Sequence, residues 1–78
     1  MSKKIKMIWD FRGPGATQTA IHHVIHLKEY MQMENLTHYG CDHLNESEFS
    51  AMAFLIVDEV HVPKLRAALK PHRGQLAV

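Results

Sequence analysis

Only one cysteine, Cys41, stands in the 78-residue chain, which excludes an internal disulfide and every CxxC metal or redox motif. A lone thiol fits a reducing compartment, so a cytoplasmic location is expected. Charge of one sign is equally scarce: nine Lys and Arg against eight Asp and Glu leave a formal +1. That balance gives no electrostatic case for nucleic acid or for an anionic membrane surface, and neither is expected as a partner. No apolar run approaches the ~20 residues of a membrane helix. The basic opening Met1-Ser2-Lys3-Lys4 leads into alternating apolar and polar residues, unlike the apolar core of a signal peptide. Four glycines and three prolines provide turns but no linker or low-complexity tract.

What is present is ordinary globular material, with 46% hydrophobic and 22% charged residues. The length allows one domain, residues 1–78, and no second. A domain of this size buries only roughly 60–65% of its unfolded surface, so association between copies is expected to support it.

Ile5, Met7, Trp9 and Phe11 alternate with Lys4, Lys6, Ile8 and Asp10, the period of a half-buried strand. Arg12-Gly13-Pro14-Gly15 turns the chain. Ala16, Ala20, Val24, Leu27 and Met31 then share one face of a helix of about five turns. Asn35 is placed to cap it in a left-handed conformation, followed by apolar Leu36. A weaker second strand is expected over Leu36 to Asp42, with Asn45-Glu46-Ser47 as the turn. In the segment Phe49 to Val57, Ala51, Ala53, Leu55 and Val57 line one face and Met52, Phe54 and Ile56 the other, as in a central strand. Pro63 suits the first turn of a short helix with the stripe Val62, Leu65, Ala68 and Leu69, ended by Pro71. Gly74 opens a closing strand through Val78.

The order β-α-β-β-α-β predicts an α+β fold of two split βαβ units: a four-stranded antiparallel sheet with two helices on one face. This layout resembles the ferredoxin-like α/β plait, shared by ACT-type regulatory domains, RNA-recognition motifs, metallochaperones and dimeric α+β barrels. The resemblance is one of layout and carries no single function. Ala53, Phe54 and Leu55 echo the central strand of RNA-recognition motifs, but the leading basic residue, the glycine and the further aromatic positions are missing, which removes the stacking platform.

In such a layout the first turn, the β2–β3 hairpin and the turn after the second helix share one end of the sheet, gathering Asp10, Arg12, His43, Glu46, His72 and Arg73. Arg12, Gly13, Gly15 and Thr17 would meet there at a helix N-terminus, where free amides favour an anion. A small anionic ligand at Arg12, Gly13, Gly15, Thr17, His43, His72 and Arg73 is one reading. The same residues used only to turn a corner is the plainer one, since the spacing matches neither a Walker A loop nor a GxGxxG fingerprint. No cofactor is expected.

Seven histidines are many for this length. His22 and His26 lie one turn apart, opposite the apolar stripe, with the spacing of a two-point metal clip. Without a third ligand that spacing equally describes a solvated helix face. His23 falls at the stripe's margin beside Tyr30, the place of a hydrogen-bonded structural histidine. His38 and His61 map to the opposite end of the sheet from His43 and His72. Cys41 and His43 could suggest a thiolate pair, but no third group accompanies them, and an inert half-buried cysteine is the simpler account.

Met52, Phe54 and Ile56 are the most informative residues, because the helices of a plait cover one sheet face only and an apolar second face calls for a second subunit. The leading expectation is a small homo-oligomeric binding or regulatory module, rather than an enzyme. The alternatives are a dimeric α+β barrel-type enzyme for small molecules and a histidine-based metal-binding protein.

Overall fold

The computed structural model describes residues 3–77, so Val78, the expected end of the closing strand, lies outside the described residues. Four strands, β1 (Lys4–Arg12), β2 (Gly40–Ser47), β3 (Ser50–Asp58) and β4 (Arg73–Leu76), alternate with α1 (Ala16–Met33) and α2 (Val62–Leu69). The sheet has the order β2-β3-β1-β4, with every neighbouring pair antiparallel. Helix α1 therefore joins β1 to β2 around β3, and α2 joins β3 to β4 around β1. This is the α+β class and the interleaved split βαβ arrangement expected from the element order.

Both helices pack on one face. Met7, Trp9, Cys41, Ala53, Leu55 and Val57 from the sheet meet Val24, Leu27 and Met31 of α1 and Leu65 of α2 in one buried cluster. The five residues of the α1 stripe are all buried. Its C-terminus closes as the sequence requires: Asn35 has φ 56°, its N–H bonds the Gln32 carbonyl, and the Leu36 N–H bonds the Met31 carbonyl. That pair of bonds is the Schellman arrangement, which satisfies carbonyls left open at a helix end.

Three expectations are corrected. The second strand starts later, at Gly40, and runs through the expected turn to Ser47. Leu36 is consumed by the helix cap, while Asn45 stays in the strand and accepts a hydrogen bond from the Thr17 hydroxyl, so the turn moves to Glu48-Phe49. In α2, Ala68 is exposed and Leu65 alone is buried. A short 3-10 turn, Glu59–His61, precedes α2. Ile8, which the alternation assigns to the uncovered face, is only 1% exposed. It stands between Phe54 of β3 and Arg73 of β4 in register, so cross-strand neighbours bury it without a helix.

Candidate functional site

The uncovered sheet face carries Met52, Phe54 and Ile56 on β3, Ile8 on β1 and Leu44 on β2. Met52 is 8% exposed, Phe54 and Ile56 are half-buried, and Leu44 is 53% exposed. The Lys6 ammonium lies 4.5 Å from the centroid of the Phe54 ring, a cation–π contact that shields part of this patch.

At the end of the sheet reached by the C-terminus of β1, three of the expected residues interlock. Asp10 accepts two hydrogen bonds from Arg73, from Nε at 2.9 Å and Nη2 at 3.0 Å. The guanidinium beside it holds the Asp10 carboxyl below its usual range, with the nearby charges of His72 and Arg12 acting in the same direction. The Asp10 backbone N–H donates to Nδ1 of His72 at 2.8 Å. In a neutral ring this acceptor role leaves the proton on Nε2.

The α1 N-terminus is built into the frame as a corner. Gly13 has φ 109°, a conformation that favours glycine, and donates its N–H to the Phe49 carbonyl at 2.8 Å. Gly15 is the N-cap without a side-chain bond, and the Thr17 hydroxyl is engaged with Asn45. Arg12 is exposed at the end of β1, and His43 turns to its neighbour Asp42, 3.3 Å away. The seven residues considered for an anion are not brought into one cluster: His43 is on edge strand β2 and Arg73 on the opposite edge strand β4, and Arg73, His72 and Thr17 already have protein partners.

His22 and His26 are exposed on α1, where His26 lies 3.9 Å from Glu29. Among the described residues, no three His, Cys, Asp or Glu side chains come together as a metal-binding group. Cys41 is buried against α1, its thiol 3.9 Å from the Val24 carbonyl, and burial pushes its pKa up to about 11. A thiol so placed is protonated at neutral pH and is a poor nucleophile.

His23 departs from the expected hydrogen-bonded state. Its ring sits against Trp9 at 4.8 Å and Phe11 at 5.5 Å between centroids, and its buried Nε2 has no hydrogen-bond partner among the described residues. Burial lowers its pKa, with the charges of His26 and His72 adding to the effect. The unfolded chain therefore takes up a proton near pH 6.5 while the folded chain does not, and stability falls as pH drops from about 7.5 through 6.5 toward the lower folded pKa. Urea unfolding of wild type between about pH 7.5 and 5 should show that loss, and His23→Phe should flatten the slope. An equal slope in the variant would remove His23 as its source.

The concavity that the sequence did not reveal lies between α2 and β4, a groove of about 500 Å³. Its floor is Ile5 and Met7 of β1, its walls are Val62 and Arg66 of α2 and Leu76 of β4, and His72 and Arg73 stand at one end. The space exists because Gly74 occupies the helix-facing position opposite Met7 and contributes no side chain. A β-carbon there would meet Ile5 at 3.7 Å and the Lys6 carbonyl at 3.9 Å, ordinary contacts. As the residue that opens the closing strand, Gly74 gives no hint of this in the sequence. The signal available was Val62 and Arg66 one turn apart on a helix facing a strand with glycine at its inward position.

No helix of the described chain is long and apolar enough to cross a membrane. The chain matches no protein-family model, no curated protein and no solved structure, so its reading rests on the geometry above.

Proposed function

We propose that the chain is a small ligand-binding module that works as a homo-oligomer, with its ligand in the groove between α2 and β4. The groove is the observation that supports this reading. About 500 Å³ falls in the range of small-molecule sites, and its apolar floor is bordered by the polar side chains Glu59, Arg66, His72, Arg73 and Gln75, which would orient a ligand. The wall strand β4 is exposed along its length, and Leu76 is 57% exposed, so the floor is reached directly from solvent.

The partly shielded row of Leu44, Met52, Phe54 and Ile56 on the opposite face supports the homo-oligomeric part of the reading, because a second copy would bury it. Cys41, a single buried thiol, suits the reducing cytoplasm, where we place the module.

The groove is tested by recording backbone amide spectra with a panel of small apolar and amphipathic compounds. Binders should shift the amides of Arg66, Gly74 and Gln75 and leave those of Gly40 and Cys41, on the far strand, in place. Gly74→Leu, whose side chain would project into the groove, should abolish those shifts while the remaining spectrum stays native. Shifts that persist in Gly74→Leu would move the ligand elsewhere.

A further inference from the structure

We infer that the ligand of this groove is an apolar monocarboxylate, its carboxylate held by Arg66 and His72 and its apolar body lying on Ile5, Val62 and Leu76. The inference rests on the groove being the ligand site and adds the chemistry of what fills it.

The groove has a polarity along its length. At one end stand Met7, Gly74 and His72, with Arg66 one helical turn past Val62. At the other, Ile5 pairs with Leu76, and the 3-10 turn brings Val62 and Glu59. Two arginines line the space, but their situations differ. Arg73 is bound in bidentate fashion by Asp10, which occupies its donor fork. Arg66 has no carboxylate within salt-bridge distance among the described residues, so its planar donor fork remains available.

His72 supplies the second donor. His72 lines the same groove, and because its Nδ1 accepts the Asp10 N–H, the donor left in a neutral ring is Nε2–H. The floor between these donors and Glu59 is apolar, and Met7 beneath it is 1% exposed. A ligand carrying one anionic group and an apolar body satisfies both halves. Glu59 at the far end repels a second anionic group, which selects a monocarboxylate over a dicarboxylate.

Three probes separate the parts: 4-phenylbutyrate, its neutral counterpart 4-phenylbutan-1-ol, and acetate as the head group alone. Amide shifts of Gly74 and Gln75 are followed in wild type and in Arg66→Gln, an exposed position where the fold should be unaffected. The acid should bind about tenfold more tightly than the alcohol, the discrimination expected of a charge-assisted hydrogen bond. Arg66→Gln should weaken the acid to the level of the alcohol and leave the alcohol unchanged, and acetate alone should bind weakest. Equal binding of acid and alcohol, unchanged in Arg66→Gln, would overturn the carboxylate inference while the groove stands as a site for neutral apolar compounds. If neither compound moves those amides in wild type, the groove itself is not the site and both readings fail.

Discussion

Replacing Leu65 by alanine should cost about 2–5 kcal/mol and release α2 from the sheet, the range seen when a buried leucine is truncated to leave a cavity. Leu65 is 0% exposed and is the one buried residue of its helix. Val62 and Leu69 only border the same core, and Ala68 faces solvent. Two other ties hold the element: the Lys64 ammonium lies 2.8 Å from Glu34 at the end of α1, and the Leu69 carbonyl accepts the Trp9 indole N–H at 2.9 Å. The ion pair is exposed and contributes little, so the leucine carries the docking. A chain of 78 residues has on the order of 4–12 kcal/mol of total stability at typical values per residue, which makes this a large fraction of the whole. Urea unfolding measures the loss, and hydrogen exchange of the α2 amides reports whether the helix opens locally before the sheet does. Since α2 is a wall of the groove, ligand shifts at Gly74 should vanish with it. A loss below about 1 kcal/mol would show that α2 is anchored by something other than Leu65.

Phe54→Asp should raise the dissociation constant of the homo-oligomer a hundredfold or more, because a carboxylate would be buried without a partner at the centre of the proposed contact. Wild-type chain at micromolar concentration should scatter light with at least twice the 9.0 kDa chain mass, and the variant with that of one chain. Phe54 is half-buried in the isolated chain and also hosts the Lys6 cation. The variant must therefore keep a native amide spectrum for the result to count, and Leu44→Lys, at a 53% exposed position on the same face, provides a milder second probe. Wild type that stays at the mass of one chain on concentration would remove the oligomer from the proposed function and leave the groove untouched.

The course of the chain was legible where the residues impose their own local geometry. Apolar spacing located α1 and its five buried residues, and Asn35 marked its left-handed end, because these features depend on neighbours within one or two turns. The second strand escapes the sequence pattern because it is an edge strand with polar His43 and Asn45 at inward positions and apolar Leu44 at an outward one, so alternation is weak. Its register is imposed from outside by β3 and by the bond from Thr17 to Asn45. The sheet end that gathers Asp10, His72 and Arg73 followed from element order, but the consumption of Arg73 by Asp10 did not, since those residues are 63 apart in the chain.

By itself, then, the order of apolar periods and turn residues determined an α+β chain of four strands and two helices, and a central strand apolar on both sides. Tertiary structure alone decided which charged groups face each other and where space is left. Arg73 meets Asp10 and Arg66 does not because the β1–β4 register brings Arg73 beside Ile8, diagonal to Asp10, whereas α2 carries Arg66 over the other face. His23 loses its hydrogen bond because Trp9 and Phe11 arrive on β1 to enclose it. The groove arises in the same way: a glycine, a short helix anchored by one leucine and an edge strand are each unremarkable in sequence. They form an open groove only when non-local packing holds the helix above the strand at a position where no side chain fills the gap.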